Sequence, residues 1–109
     1  MTGIRKHSGE ESEETATAYN NVGAPYRDLG QYEKALEYIG KAVEISKALG
    51  DEEGDAAHLN RLGRVYALMG DTASARAKFL EALALLPEDH PEAADTRERL
   101  AALNAEKAE

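Results

Sequence analysis

Catalytic or metal chemistry in this chain would have to begin at three histidines, His7, His58 and His90. Asp55 and His58 stand three apart, so a helix would place them on one face near Glu52, and these are residue types that bind zinc. Carboxylates beside a histidine at a helix start are more often simply solvated. None of the three histidines has a nucleophile or a paired base at helical spacing. Cysteine is absent, which removes disulfides and thiolate metal sites. No glycine-rich phosphate loop follows a strand. The chain is therefore expected to be no enzyme and to carry no metal or cofactor. The residues left with recognition chemistry are Asn20, Asn21 and Asn60, whose amides both donate and accept hydrogen bonds, and Arg27, Arg61 and Arg64, whose forks suit carboxylates.

The elements that position them are helices. Ala18/Tyr19, Val22/Gly23, Tyr26 and Leu29 recur at helical spacing up to Gly30, with Ser8 and Glu11, or Ser12, as the opening cap. A second helix spans about Tyr32 to Leu49 and buries Ala35, Leu36, Ile39, Ala42 and Val43. It ends at Gly50-Asp51. A third, from near Glu52–Asp55 to Gly70, carries Ala56, Leu59, Leu62/Gly63, Val65/Tyr66 and Met69. The fourth holds Ala75, Phe79, Ala82, Leu83 and Leu86 and stops at Pro87. Pro91 suits the first turn of a fifth helix, with Ala94, Leu100, Ala101 and Leu103 inward, fraying after Asn104. Period-two alternation is absent, so no strand is expected.

The first and second helices repeat as the third and fourth after forty residues: Ala16/Ala56, Asn20/Asn60, Gly23/Gly63, Tyr26/Tyr66, Gly30/Gly70, Ala35/Ala75 and Ala42/Ala82 are identities. Tyr19/Leu59, Val22/Leu62, Leu29/Met69, Ile39/Phe79 and Val43/Leu83 keep their apolar character. Such a period signals a solenoid whose units bury their faces against neighbours. The pattern closely resembles the tetratricopeptide repeat over about 75 residues, in the long-period form found in kinesin light chains and many bacterial regulators, since the usual period is about 34. The resemblance implies an all-α solenoid of antiparallel helix pairs: a tail over 1–9, one unit over about 12–50, a second over about 52–87, and a capping helix over about 91–105. Thr72 departs from the aromatic usual after the turn within a unit. Pro25 falls inside the first helix where the second unit has Val65, and a mid-helix proline costs about 3 kcal/mol. The readings are a tolerated kink, a break near Gly23-Ala24, or a first unit that rearranges or swaps.

In this family the first helix of each unit lines a concave surface, and the resemblance implies that peptides bind there. With Tyr19, Val22, Gly23 and Tyr26 buried, the opposite side carries Thr17, Asn20, Asn21, Ala24 and Asp28, with Arg27 at its edge. The second unit exposes Ala57, Asn60, Arg61, Arg64 and Leu68 in the same way. Peptide-binding residues are thus expected at Asn20, Asn21, Arg27, Asn60, Arg61 and Arg64. The arginines favour an acidic segment or a C-terminal carboxylate in an otherwise acidic protein. The family's lysine clamp for chaperone tails has no counterpart here.

The chain of 109 residues has 13 lysines and arginines against 21 acids, a net charge of −8. That charge argues against nucleic acid, whose phosphates need a basic surface. No stretch reaches the roughly 18 apolar residues of a membrane span, and Met1 to Glu14 lacks the apolar core of a secretory signal. A cytoplasmic protein with a protein partner and no membrane partner is expected. Two alternatives stand beside the peptide-binding module: an oligomerisation module pairing with a second copy, and a fragment of a larger bacterial regulator.

Overall fold

The computed structural model describes residues 12–108, with side chains to residue 105. Five helices follow one another: α1 (Glu13–Asp28), α2 (Tyr32–Leu49), α3 (Glu52–Met69), α4 (Thr72–Leu85) and α5 (Pro91–Ala108). No strand occurs among the described residues. This is the helical repeat solenoid the periodicity predicts. The expected tail and the alternative cap of Ser8 with Glu11 lie outside the described residues.

Local chemistry accounts for the boundaries. Ser12 caps α1, its Oγ accepting the Thr15 N–H at 3.1 Å. Asp51 and Asp71 cap α3 and α4, accepting the Gly54 and Ser74 N–H groups at 3.1 Å each. Each such cap stabilises by about 1 kcal/mol. Gly30, Gly50 and Gly70 take φ of 81°, 72° and 84°. The residues after them return N–H groups to the carbonyls of Tyr26, Ser46 and Tyr66, a closure that needs a left-handed residue. Leu86 is extended (φ −115°, ψ 146°), as a residue before proline tends to be, and α4 stops there. Pro91 opens α5.

The core is strung along the array. One cluster joins Ala35, Ile39 and Val43 of α2 with Ala56, Leu59, Leu62 and Val65 of α3 and Ala82 of α4. A second joins Ala75 and Phe79 of α4 with Leu103 of α5. Glycines bring the paired helices together. A Cβ on Gly23 would lie 2.7 Å from Ile39 Cγ1, and one on Gly63 would lie 2.6 Å from Phe79 Cε1.

Several packing expectations change in three dimensions. Val22 is 44 % exposed although its counterpart Leu62 is 7 % exposed. The difference is α2, which lies over the outer side of α3, whereas no described helix lies ahead of α1. Leu29 and Met69, each just before a turn glycine, are also exposed. On α5 the inner face is Ala93, Thr96, Leu100 and Leu103, while Ala94 and Ala101 face out. The helix also runs past Asn104 to Ala108.

Pro25 does not break α1, which is helical from Glu13 to Asp28. Its ring is exposed, whereas Val65 in the second unit is fully buried. The proline thus sits on the side of the array where no described helix packs. The open side is partly covered by a tyrosine stack: Tyr38 lies 6.3 Å from Tyr19 and 5.7 Å from Tyr26 between ring centres. Lys41 and Lys34 sit 5.9 Å over the outer rings.

Two predictions follow from this packing. Gly63→Ala must displace the buried Phe79 ring, and overpacking costs about 1–3 kcal/mol against a helix-propensity gain of about 1 kcal/mol. It should lower the denaturant midpoint, whereas Gly40→Ala, with nothing within 4 Å of its added Cβ, should raise the midpoint by stabilising the fold by up to about 1 kcal/mol. The second concerns His58, which is 8 % exposed. Burial and then the charge of Arg61 depress its pKa below 6.5, against weaker opposition from Asp51 and Asp55. The folded protein binds the proton less readily than the unfolded chain, so the stability tied to neutral His58 is complete above about pH 6.5. It is lost as pH falls through the lowered folded value. Thermal melts from pH 8 to pH 5 should show this loss, and His58→Gln should reduce the slope.

Candidate functional site

Helices α1, α3 and α5 lie side by side, α3 touching both of the others. Their shared face is where the arginines and asparagines gather. Asn20 and Asn60, expected to be open to a ligand, are buried at 6 % and 3 % exposure. The expectation treated each first helix alone, but the next one in the array packs beside it. Asn60 donates from Nδ2 to Glu92 Oε2 at 2.6 Å and Asp95 Oδ2 at 3.3 Å, both on α5. It ties the fifth helix to the third. The Oδ1 atoms of Asn20 and Asn60 are buried and have no hydrogen-bond partner in the described structure.

Asn21 is exposed, one position round the helix, in an open depression shared with Glu13, Glu14, Thr17 and Ala18. Arg27, Arg61 and Arg64 are half-buried, and the charges of Arg27 and Arg61 act on Arg64. Arg27 Nε donates to Asp28 Oδ1 at 3.2 Å, and Arg61 Nη1 to its own helix at the Ala57 carbonyl, 3.4 Å. Arg64 makes no ion pair or hydrogen bond through its side chain among the described residues. Burial and then the positive charges of Arg99, Arg27 and Arg61 lower its pKa below the usual guanidinium value, with Asp95 in opposition. The guanidinium stays charged at any physiological pH. Four arginines therefore converge, and α5 supplies the fourth.

Sequence alone does not single out Arg99, because the fifth helix lacks the tyrosine and the Leu-Gly turn of the repeat and reads only as a cap. The signal that would have found it is its position as the third helix of the first-helix type. Arg99 Nε donates to Asp95 Oδ2 at 3.0 Å. Burial opposes charge on Asp95, but the hydrogen bonds from Arg99 and Asn60 and the charges of Arg99 and Arg64 outweigh it and hold its pKa below 3.8. Between α3 and α5 lies a cavity of about 280 Å³ lined by Arg64, Ala67, Leu68, Phe79, Arg99, Ala102 and Leu103.

The histidines of the described region have structural surroundings. His58 Nδ1 is buried without a partner, and its neighbour Asp55 accepts from Lys47 Nζ at 3.0 Å. His90 accepts the Glu92 N–H on Nδ1 at 3.0 Å and meets Glu53 Oε2 through Nε2 at 2.6 Å. His7 lies outside the described residues. Among those residues no group of three or more His, Cys, Asp or Glu is arranged to hold a metal, and no helix is long and apolar enough to cross a membrane. The chemistry available on the shared face is multivalent hydrogen bonding and charge pairing with carboxylates.

Comparison with known proteins agrees with this architecture. An 80-residue stretch, 73 % of this chain, is 35 % identical to the Drosophila melanogaster protein O-mannosyl-transferase Tmtc3 and covers 8 % of it. The crystal structure of BtubC (BKLC) from P. vanneervenii superposes with a TM-score of 0.77 at 30 % identity, over 91 % of this chain and 42 % of that one. The chain thus spans less than a tenth of one relative and under half of the other, and the transfer activity in the first name is said of that protein alone. Residues 14–88 match the family model of the tetratricopeptide repeat, whose repeats generally serve as non-catalytic scaffolds for protein–protein interaction. With the repeated glycines, the paired helices and this match over most of its length, the chain belongs to the tetratricopeptide repeat family.

Proposed function

We propose that this chain is a protein-interaction module that binds an acidic peptide segment along the face shared by α1, α3 and α5. The observation that carries the reading is the convergence of Arg27, Arg61, Arg64 and Arg99 on one face of a protein of net charge −8. Only Arg27 and Arg99 of the four have a carboxylate partner among the described residues. A partner's carboxylates, on side chains or at a C-terminus, would pair with Arg61 and Arg64. Asn21 stands beside Glu13 and Glu14, so the segment's acidic residues lie toward the arginine end. Asn20 and Asn60 contribute by placing the helices, since their burial keeps them from direct contact. The cytoplasm, where acidic protein partners are available, is the compartment this reading favours.

A second reading, pairing with another copy, has its own observation. Val22 is 44 % exposed on the same side as the Tyr19–Tyr38–Tyr26 stack, where the equivalent face of α3 is covered by α2. An apolar helix of a second copy could cover it in the same way.

The two readings have separate tests. For the first, binding of a labelled polyglutamate peptide by fluorescence anisotropy should fall steeply with added salt, and a double Arg61→Glu, Arg64→Glu variant should lose it at least ten-fold. Binding indifferent to both changes would place the partner elsewhere. For the second, light scattering over a concentration series should show a dimer that Val22→Glu returns to monomer. A monomer mass at every concentration would reject it.

A further inference from the structure

The outer side of α4 is apolar, and no described helix covers it. Ala73, Ala77 and Ala84 are exposed, and Leu80 is 52 % exposed. These four residues follow one another at intervals of four, three and four, which places them on one face of the helix. The opposite face carries the buried Ala75, Phe79 and Ala82. A helix that is apolar on both faces is suited to cover on both.

The forty-residue repeat supplies a control within the same chain. Ala73, Ala77, Leu80 and Ala84 correspond to Glu33, Glu37, Gly40 and Glu44 of α2. The three glutamates are exposed, although α3 and α4 follow α2 in the array. Stacking a further unit therefore leaves this face open, and the apolar face of α4 is not a surface for the next repeat. In the first unit the face is made for water. In the second it is not.

The flanks of the face identify its occupant. Its three-and-four spacing is that of a two-stranded coiled coil, with Ala77 and Ala84 at a and Ala73 and Leu80 at d. The flanking g and e positions then hold Arg76 and Glu81, five residues apart. In a parallel pair, g of one helix meets e of the other five residues further on, so each Arg76 faces Glu81 of the other copy. An antiparallel pair would bring like flanks together, Arg76 with Leu83 and Glu81 with Ser74. Arg76 has no carboxylate partner among the described residues, its Nη2 donating to Asn104 Oδ1 at 3.3 Å. Glu81 meets Lys78 Nζ only loosely, at 3.7 Å. The first unit has Leu36 and Lys41 at the two flanking positions, so it lacks the charge pair as well as the apolar face.

We propose that the outer face of α4 pairs with the same face of a second copy, the two helices running parallel about a two-fold axis. Leu80 packs between them, the alanines allow close approach, and Arg76 pairs with Glu81 on both sides. The contact is about 16 Å long, too short to bury the roughly 800 Å² per partner of a stable interface. The dimer is therefore weak and reversible. It uses neither the α1 side that carries Val22 nor the arginine face, and it does not depend on the acidic-segment reading.

The chain has no cysteine, so single introduced thiols report the arrangement. Sedimentation equilibrium of the full chain up to about 1 mM should show a dimer. Leu80→Glu, checked for helix content by circular dichroism, should weaken it at least ten-fold, because a charge would enter the seam. Val22→Glu should leave it unchanged. Ala73→Cys and Ala84→Cys, each oxidised alone, should cross-link to themselves, since a parallel two-fold pair brings every position on the face to its own counterpart. Arg76→Glu and Glu81→Arg should each weaken the dimer about three-fold or more. An equimolar mixture of those two variants should restore it as a heterodimer, because each flank then meets the opposite charge. A monomer at every concentration, or a dimer indifferent to Leu80→Glu, would overturn the proposal. Cross-linking only when Ala73→Cys and Ala84→Cys are mixed would overturn the parallel arrangement and the pairing of Arg76 with Glu81. Loss of the dimer in Val22→Glu but not in Leu80→Glu would move the second copy to the α1 side.

Discussion

The structure depends on how closely two helices can approach at a glycine. At Gly63 the α3 backbone lies against the Phe79 ring, and at Gly23 the α1 backbone lies against Ile39, each too near to admit a Cβ without displacement. Glycine inside a helix costs about 1 kcal/mol relative to alanine. That cost is offset because the close approach lets Phe79 and Ile39 be buried completely, and a large buried side chain contributes about 1.5–3 kcal/mol. The small residues Ala35 and Ala75 across the pair, both at 0 % exposure, serve the same end. Once a pair closes in this way, its outer faces are set at an angle that receives the next pair, and the array follows.

An array built by stacking has consequences for its ends. Each helix needs neighbours on more than one side, and the terminal ones do not have them among the described residues. At the α1 side the outcome is an exposed Val22, a proline tolerated on an open face and a stack of three tyrosines across the gap. At the other end α5 closes the second core cluster with Leu103 and holds α3 through Asn60. Among the described residues a cavity remains between α3 and α5. That recess lies beside Arg64 and Arg99.

Charge is distributed with an equally simple logic. Acidic residues in the first turns, such as Glu13, Glu14, Glu52, Glu53 and Asp55, favour the positive ends of their helix dipoles. Arg27, Arg61, Arg64 and Arg99 gather away from those ends on one shared face. Repulsion among them disfavours their crowding, and Asp95, held ionised by Arg99 and Asn60, relieves part of it.

Much of the fold was legible before any coordinates. The Gly30, Gly50 and Gly70 turns, the Pro87–Pro91 break and the aligned apolar positions are local signals. They specify helix number, boundaries and pairing because caps, left-handed glycines and prolines act within a few residues. Of the candidate site, the sequence marks Arg27, Arg61 and Arg64 as cations at helical spacing, and in the fold the charges of Arg27 and Arg61 act on Arg64. What the sequence alone could not decide is the surroundings of a side chain lying between non-adjacent helices. A helix taken singly leaves Asn20 and Asn60 open, whereas in the packed array both are buried. The pattern of its helix places Val22 in the core, and its exposure reflects what does or does not lie in front of it. Arg99 joined the arginines only because α5 runs beside α3, thirty-five residues after Arg64 along the chain. Periodicity tells a helix which face to bury, but which residues on that face meet solvent, a neighbour or a ligand is set by the next helix in space.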